Sequence, residues 1–310
     1  MAIAAKKKAP YGSRPTGMTF ATLAGKSGYT LGVKTERGIV DVASAAALFR
    51  AKAPLTIDEV IGGADCAPLR KLVDKTLADP RGRKAIVSEV RAKFGPAIPH
   101  PQKILCVGLN YRGHAAETKN PIPTAPMLFA KYGNGLTGHR SKVKLPKVDT
   151  TYDYEVELVV VMGRKCFNVP VEKALGYVFG YATGNDLSAR ALQRVTTQIM
   201  LGKILDGFAP VGPYVVTADQ IPDPQTLRVT THVNGELRQN NNTSDMIFSC
   251  AEIISYCSRH FTLVPGDIIY TGTPQGVILG NPPESRVWLK AGDRVVTEVE
   301  KLGALEVTLV

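Results

Sequence analysis

The chain has 310 residues, a formal net charge of +11 at neutral pH and 44% hydrophobic residues. A chain of this size can bury a substantial core, as one large domain or as a large domain with a smaller companion. No apolar stretch approaches the roughly 20 residues that a membrane span requires, and no apolar segment follows Lys6, Lys7 and Lys8, which argues against a secretory signal. We therefore expect a soluble protein with a disordered basic tail over residues 1–15.

The positive charge does not by itself indicate a nucleic-acid-binding protein. Lysine and arginine are scattered, and their local concentrations at 6–8, 81–84 and 142–147 lack interleaved aromatic residues. A positive field would instead speed the arrival of an anionic substrate. The five cysteines are odd in number and show no metal-ligand spacing, which predicts structural thiols in a reducing cytosol. We expect a cytoplasmic protein without a nucleic-acid or membrane partner.

The first hundred residues predict a small α/β domain. Short strands are expected between 18 and 42, followed by helices at 41–52, 65–77 and 83–94. The segment Gly-Pro-Ala-Ile-Pro-His-Pro at 95–101 then interrupts regular structure, because a residue before proline disfavours the helical conformation. This segment is the predicted boundary between residues 1–100 and 101–310.

The remainder of the chain predicts a β-rich domain. Asn234-Gly235 is a strong signal for a tight hairpin turn, and 251–261 has the pattern of a helix. Strands are expected at 103–108, 155–162, 177–184, 213–217, 227–233, 267–272, 294–299 and 304–310.

Glu155 and Glu157 would share one face of the predicted strand over 155–162, because side chains two residues apart along a strand point the same way. Val156 and Leu158 would occupy the other face. Two carboxylates held close together away from water must protonate, be desolvated at high cost or be neutralised by a cation. The pattern indicates either a divalent metal site or, for the pair taken alone, an edge strand whose glutamates face water.

Three further segments carry polar residues that a site could use. The segment 180–185 predicts a strand that ends in a turn at Asp186, with a helix over 189–198 after it, so Asp186 is either a third oxygen ligand or a helix N-cap. Lys203 lies among apolar residues and glycines, and is either a surface side chain or a buried cation that polarises a carbonyl. The segment 266–277 runs from an apolar strand into a loop whose N–H groups and hydroxyls could hold an anion.

Together these segments resemble the fumarylacetoacetate hydrolase family over about 103–310. The resemblance implies an α+β fold, a mixed β-sandwich roll peculiar to this family, with a small N-terminal α/β domain at 1–100, a catalytic domain at 101–310 and assembly as a homodimer. The matching motifs occur in order: Gly-Leu-Asn-Tyr-Arg-Gly-His from Gly108, Asp-Tyr-Glu-x-Glu-Leu from Asp153, Asn-Asp-x-Ser-Ala-Arg from Asn185, Gly-Lys-x-x-Asp-Gly-Phe from Gly202, Asn-Thr-Ser-Asp-Met-Ile-Phe from Asn242 and Thr-Gly-Thr-Pro from Thr271.

By this resemblance, Glu155, Glu157 and Asp186 would bind Mg²⁺ or Mn²⁺. The chemistry agrees with that assignment, because a site made only of carboxylate oxygens suits a hard divalent cation, whereas zinc favours histidine or cysteine. The resemblance therefore predicts a magnesium or manganese enzyme.

The resemblance also implies three catalytic residues. Lys203 matches the active-site lysine of the family. His114 and Glu117 match a pair that activates water from a mobile lid, and their spacing places them side by side on a helical turn, where the carboxylate can orient the imidazole. Without the family, His114 would be interpreted as an exposed histidine on a helix face.

Substrate contacts are implied at three further positions. Arg190 and Gln193 match residues that bind the substrate carboxylate, and Thr273 matches a hydroxyl that contacts the substrate. Ala191 and Ile199 depart from the residues that are frequent in relatives. Both departures lie between the proposed metal ligand Asp186 and Lys203, so the resemblance does not carry over a substrate.

The implied activity is hydrolysis of a carbon-carbon bond in an acylpyruvate-type 2-oxo acid, by way of a metal-stabilised enolate, in the catabolism of aromatic or keto acids. The substrate would be a small anionic 2-oxo acid. The same enolate chemistry leaves alternatives open. These are isomerisation of a hydroxy-dienedioate, decarboxylation of a 2-oxo dioic acid such as oxaloacetate, and dehydration or hydrolysis of a 2-keto-3-deoxy sugar acid.

Overall fold

The computed structural model describes residues 15–25 and 28–310, so the predicted basic tail lies outside the described residues except at its last position. The strands are β1 (Thr19–Gly25), β2 (Gly28–Thr35), β3 (Gly38–Asp41), β4 (Ile86–Val87), β5 (Ile104–Gly108), β6 (Met127–Lys131), β7 (Leu136–Thr137), β8 (Ser141–Val143), β9 (Tyr152–Asp153), β10 (Val156–Met162), β11 (Val178–Asn185), β12 (Ser188–Ala189), β13 (Ala209–Pro210), β14 (Tyr214–Thr217), β15 (Arg228–Val233), β16 (Glu236–Asn242), β17 (Ile268–Tyr270), β18 (Arg294–Val299) and β19 (Gly303–Leu309). The helices are α1 (Val42–Phe49), α2 (Ile57–Ile61), α3 (Ala67–Ala78), α4 (Arg112–Glu117), α5 (Val171–Ala174) and α6 (Cys250–His260).

Two sheets dominate the fold. The larger runs in the order β4-β3-β2-β1-β14-β11-β10-β17-β5-β6, so the first hundred residues supply four strands at one side and the rest of the chain supplies six. The smaller runs in the order β16-β15-β18-β19-β8. It packs against the larger sheet at β10 and β11. These packed sheets confirm the predicted α+β fold with a mixed β-sandwich.

Strand β10 is buried on both faces, as its alternation predicts. Val156, Leu158 and Val160 belong to the core that also contains the inner side of α6. Val159 and Val161 point the other way, into the core beneath α1, α2 and α3. A strand that is apolar on both faces lies in the middle of a sheet, so the two glutamates at its start are drawn into the protein interior and do not form a solvated edge.

Most predicted elements of the β-rich domain are present. Each strand predicted from 103 onward is found with its ends within two residues of the prediction, and the helix predicted at 251–261 is α6. Ser249 and Glu252 form a capping box at the start of α6. Asn234 and Gly235 both have positive φ, as the tight turn between β15 and β16 requires.

The helix predicted at 83–94 is wrong. The chain forms a 3₁₀ turn over Pro80–Ala85, and Ile86 and Val87 then pair with β3 as strand β4. Both residues are β-branched, and the free edge of β3 offers them backbone hydrogen bonds. Pairing with a distant strand therefore overrides the local helical pattern.

The helix predicted at 189–198 is also wrong. Ser188 and Ala189 pair with β9 as strand β12, and only a 3₁₀ turn at Leu192–Arg194 follows. The N–H groups that would begin a helix are captured by side chains some forty residues earlier. Ala191 donates to the hydroxyl of Thr151, and Leu192 donates to the carboxylate of Asp149.

Two further expectations concern the cysteines and the absence of a membrane span. All five cysteines are buried and free, as structural thiols would be. Across the part of the chain that the structure describes, none of the helices has both the length and the apolar character needed to cross a bilayer.

His139 links the first hundred residues to the rest of the chain. Its ring packs edge-on against Phe94 with a centroid distance of 5.2 Å, and its Nδ1 accepts a hydrogen bond from the backbone of Glu306 at 3.1 Å. Burial, followed by the nearby charge of Arg140, lowers the pKa of His139 to about 4. The ring is therefore neutral in the folded protein at neutral pH.

We expect His139 to make the fold acid-sensitive. Because its pKa is lowered from 6.5 to about 4 on folding, its contribution to stability is complete above pH 6.5 and is lost as the pH falls through 4. Asn at this position retains an acceptor and does not titrate. Urea unfolding from pH 7 to pH 4 should show that His139→Asn loses less stability than the wild type, by on the order of 1 kcal/mol after allowance for partial solvation. Equal losses in the two proteins would contradict the assignment.

Candidate metal and active site

The topology brings four segments of the chain to one edge of the larger sheet. Strand β10 is antiparallel to both β11 and β17, and β17 is parallel to β5. The start of β10 therefore lies beside the ends of the other three strands. Glu155 and Glu157 stand at this start, Asp186 follows β11, Thr273 follows β17 and His114 follows β5.

The three predicted metal ligands meet at this edge. Glu155, Glu157 and Asp186 are all buried, and each offers a carboxylate oxygen within 4.8 Å of the others. The backbone fixes this arrangement, because the N–H of Asp186 donates to the carbonyl of Glu155 and the N–H of Glu155 donates to the side-chain oxygen of Asn185. The N–H of Gly272 donates to Glu157 Oε2 at 2.7 Å.

Lys203 is a buried cation, which settles the alternative that the sequence left open. Its Nζ lies 2.7 Å from Glu155 Oε2 and 2.8 Å from Asp186 Oδ2. Burial alone would lower the pKa of this ammonium group, but the charges of Asp186 and Glu155 outweigh it and raise the pKa. Lys203 therefore remains charged at neutral pH and bridges two of the three carboxylates.

Arg190 and Lys131 complete the positive side of the cluster. One nitrogen of the Arg190 guanidinium lies 2.8 Å from Asp153 and 2.7 Å from Glu155. Lys131 Nζ lies 2.6 Å from Asp186 Oδ1 and donates to three backbone carbonyls. Four carboxylates thus face three fixed cations. The cations form ion pairs with Glu155, Asp186 and Asp153, and none of them pairs with the fourth carboxylate, Glu157.

Glu157 is the carboxylate that this arrangement leaves unbalanced. Among the described residues, no lysine or arginine is within ion-pair distance of it, and its hydrogen bond comes from the backbone of Gly272. Burial, together with the charges of Asp186 and Glu155, raises its pKa well above the ordinary value. At Glu155 the effect of burial is outweighed by Lys203 and Arg190, which lower the pKa to about 2.

These residues fit a hard divalent cation. Three carboxylates converge, one of them lacks a countercharge, and the donor atoms are all oxygen, which is the ligand set that Mg²⁺ and Mn²⁺ prefer. Asp186 is not an N-cap, because the element that follows it directly is strand β12. The structure therefore assembles a candidate metal site from the three predicted residues.

His114 and Glu117 form a hydrogen-bonded pair on α4. His114 Nδ1 lies 2.7 Å from Glu117 Oε1, and His114 is buried, so it is not a histidine on an exposed helix face. Glu117 is itself held, because its Oε2 accepts from the N–H of Gly276 at 2.9 Å. A Cβ on Gly280 would come within 2.3 Å of the Glu117 carboxylate, so glycine is needed there for this close approach.

Two adjoining spaces surround these residues. The inner cavity, of about 90 Å³, is lined by the three acidic residues, Lys203, Thr273 and Phe129, among others. The outer cleft, of about 730 Å³, is lined by residues that include Glu117, Leu279 and Arg286. The residues that line both spaces are His114, Met127, Arg190, Gln193 and Ile199.

The three predicted substrate contacts all line the inner cavity. Arg190 also donates to Gln193 Oε1 at 3.1 Å, which leaves the NH₂ group of Gln193 to face other partners. A Cβ on Gly202 would come within 2.3 Å of Gln193, so this glycine makes room for the glutamine. The Thr273 hydroxyl accepts a hydrogen bond from Gln239 at 2.9 Å.

Sequence reasoning missed Lys131 and Gln239. A signal for Lys131 exists, since it stands two residues after Phe129 in an apolar run and so shares the inward face of β6. Gln239 gives no such signal, because every residue of β16 other than Leu237 is polar. Its buried position depends on packing against other segments.

Comparison with known proteins assigns the chain to a family. The family described as "Fumarylacetoacetate (FAA) hydrolase C-terminal" matches residues 103–310. The chain belongs to the fumarylacetoacetate hydrolase family.

Relatives with differing activities are similar to this chain. A 2,4-didehydro-3-deoxy-L-rhamnonate hydrolase from Sphingomonas sp. (strain SKA58) is 46% identical over 216 residues, which cover 69% of this chain and 75% of that protein. A mitochondrial oxaloacetate tautomerase from Bos taurus is 41% identical over 215 residues, 68% of each protein. A crystal structure of fumarylpyruvate hydrolase from Pseudomonas aeruginosa, in complex with Mn²⁺ and pyruvate, has a TM-score of 0.62 and 32% identity, and covers 70% of this chain and 98% of that one.

Removal of the Lys131 ammonium group should strongly destabilise the protein. Lys131→Met leaves Asp186 with one cation fewer and three buried carbonyls without their donor, and breaking a buried ion pair costs about 3–5 kcal/mol. Urea unfolding of the metal-free protein measures this change. Lys142→Met, at an exposed position, is the control and should change stability by about 0.5 kcal/mol or less. A similar small loss in both variants would show that Lys131 does not stabilise the cluster.

Proposed function

We propose that this protein is a Mg²⁺- or Mn²⁺-dependent hydrolase that cleaves a carbon-carbon bond in an acylpyruvate-type 2-oxo acid. The observation that carries the proposal is the position of the His114–Glu117 pair, which lies on the boundary between the outer cleft and the inner cavity with the acidic cluster. A base at this point meets water entering from the cleft and a substrate held in the cavity.

The acidic cluster would hold the metal ion through Glu155, Glu157 and Asp186. A divalent ion bound there would supply Lewis-acid stabilisation of negative charge that develops on substrate oxygens. Lys203 contributes a second positive charge on the same side, because it remains protonated between Glu155 and Asp186. Preplaced charges of this kind favour the transition state over the ground state when charge develops during bond breaking.

Residues of the inner cavity would orient the substrate. The oxygen of Gln193 accepts from Arg190, and among the described residues its NH₂ group has no acceptor, so it can donate to a ligand. Arg190 itself is held by Asp153 and Glu155, so it provides positive charge at a fixed place. The Thr273 hydroxyl provides a further polar contact on the cavity wall. A small 2-oxo acid carries the carboxylate and the neighbouring oxygen that suit these groups.

His114 would act as the general base. With Nδ1 engaged by Glu117, Nε2 is the nitrogen that remains to accept a proton from water. The water oxygen then bonds to the distal carbonyl carbon, and the adjoining carbon-carbon bond breaks with its electron pair on the 2-oxo acid portion. A proton returned to that portion completes the reaction. The products are a carboxylic acid and a shorter 2-oxo acid.

A second activity, keto-enol tautomerisation of oxaloacetate, is also supported by a specific observation, and decarboxylation of oxaloacetate would use the same chemistry. Oxaloacetate tautomerases from Bos taurus and Xenopus laevis are 41% and 40% identical to this chain. These reactions use the same stabilisation of an enolate but no attacking water. The two proposals therefore differ in what they require of His114.

A panel of substrates tests the proposed function directly. Acylpyruvates, oxaloacetate and hydroxy-dienedioates should be assayed with Mg²⁺ or Mn²⁺ and, in parallel, with an excess of chelator. We expect metal-dependent release of a 2-oxo acid from at least one acylpyruvate. Turnover of oxaloacetate alone would favour the second activity, and no metal-dependent turnover of any kind would overturn both.

Loss of the uncompensated carboxylate should abolish metal binding while the fold is kept. We expect calorimetry to find one tight Mg²⁺ or Mn²⁺ site per chain in the wild type and none in Glu157→Gln, because the variant removes a charged ligand without changing the side-chain volume. The free energy of unfolding of metal-free Glu157→Gln should not fall, since Glu157 has no cation partner among the described residues. Unchanged metal affinity in this variant would refute the ligand assignment.

His114→Ala should separate the two activities. If His114 activates water, acylpyruvate hydrolysis should fall by roughly two or more orders of magnitude, whereas tautomerisation or decarboxylation of oxaloacetate should fall much less. Lys203→Ala is the comparison variant and should impair both, because both reactions develop charge on the same oxygen. Equal losses of both activities in His114→Ala would show that His114 serves a step common to both, and hydrolysis would lose its main support.

A further inference from the structure

Gln239 is a buried polar residue that the proposed mechanism does not use. The pairing of β15 with β16 shifts register between Thr231 and His232, which is a β-bulge that leaves Arg238 without a partner residue on β15. Beside this bulge, the Gln239 side chain turns inward and is only 1% exposed. Gly276 allows the close packing, because a Cβ there would lie 2.4 Å from the carbonyl of Arg238.

Four hydrogen bonds fix the Gln239 amide in one orientation. Its Oε1 accepts from the backbone N–H of Val156 at 3.1 Å and from the Thr231 hydroxyl at 2.7 Å. Its Nε2 donates to Thr273 Oγ1 and to the carbonyl of Pro274, both at 2.9 Å. A backbone N–H can only donate and a carbonyl can only accept. The amide therefore cannot be reversed without breaking bonds at both ends.

The orientation of the Gln239 amide determines where the Thr273 hydroxyl can donate its proton. Because Thr273 Oγ1 accepts from Gln239, its own proton must be donated elsewhere. Within residues 15–25 and 28–310, no acceptor for that proton is found. Thr273 is 3% exposed and lines the inner cavity beside the acidic cluster. The proton is thus available to a molecule that enters the cavity.

We propose that Gln239 is a positioning residue that holds the Thr273 hydroxyl as a hydrogen-bond donor to a ligand oxygen. The subsite then selects ligands that place an acceptor there, such as a carboxylate or enolate oxygen. Gln239 also binds the N–H of Val156, between Glu155 and Glu157, so one side chain ties this subsite to the strand that carries two of the acidic residues. The ligand class rests on the proposed function, whereas the role of the Thr273 hydroxyl as a donor rests on geometry alone.

Oxalate is a suitable probe because its polar atoms are all acceptors and it undergoes no turnover. Calorimetry on the Mg²⁺-loaded protein measures its dissociation constant. A hydrogen bond to a charged acceptor corresponds to roughly 10- to 100-fold in affinity, so Thr273→Val should weaken oxalate binding by about that factor. Thr273→Ser retains the hydroxyl and should bind oxalate within about threefold of the wild type.

The action of Gln239 through Thr273 is tested by a double-mutant cycle. Gln239→Met, which cannot donate, should weaken oxalate binding in the wild-type background. In the Thr273→Val background it should have little further effect, about threefold or less. Additive losses would mean that Gln239 merely supports the fold, and that result would overturn the inference. Gln239→Leu replaces Gln239→Met if the latter does not fold.

Gln220 offers a matched control elsewhere in the protein. Its Nε2 also donates to a threonine hydroxyl and a backbone carbonyl, those of Thr217 and Met18. Gln220→Met removes the same kinds of bond away from the acidic cluster. It should lower the urea midpoint but leave oxalate affinity unchanged. A loss of oxalate affinity equal to that of Gln239→Met would show that general destabilisation explains both.

The remaining outcomes separate this inference from the proposed function. Unchanged oxalate affinity in Thr273→Val, or no oxalate binding by the wild type with Mg²⁺, overturns the inference whether or not acylpyruvates are hydrolysed. Strong coupling between Gln239 and Thr273 in a protein that hydrolyses none of the acylpyruvates supports the inference and overturns the proposed function alone.

Discussion

The burial of three carboxylates close to one another, away from water, is the constraint on which the rest of this structure depends. Glu155, Glu157 and Asp186 are buried within a few ångströms of one another, and buried carboxylates are costly unless cations or hydrogen bonds compensate them. Fixed cations balance two of the three. The imbalance at Glu157 is what gives the cluster a preference for a further cation, and it is therefore the physical origin of the candidate metal site.

The sheet makes this confinement possible. Because β10 runs against β11 and β17, residues from segments far apart in the chain arrive at one edge of the sheet. Glycines then allow closer approach than any side chain would permit. A Cβ on Gly184 would come within 2.5 Å of Val159, and one on Gly272, which also has positive φ, within 2.7 Å of Asn110. The rigidity of the packed strands holds the repelling groups in place.

The candidate site has two parts, a small charged cavity and a larger open cleft. The inner cavity concentrates charge around a volume of about 90 Å³, whereas the outer cleft has a volume of about 730 Å³. His114 stands between them. Proteins named as a hydrolase and as a tautomerase are similar to this chain. Under the proposed function, control of water at this boundary would let one fold support both kinds of chemistry.

The sequence by itself determined eight of the strands after residue 103, the shared face of Glu155 and Glu157 and the tight turn at Asn234-Gly235, because each depends on residues that are close along the chain. Its family motifs also identified all nine proposed site residues. The tertiary structure alone decided that 189–198 forms no α-helix, since Asp149 and Thr151 capture its N–H groups. It alone brought Lys131 into an ion pair with Asp186 and Gln239 into a hydrogen bond with Thr273. Such contacts join residues more than thirty positions apart, and local pattern carries no information about which distant groups a buried side chain will meet.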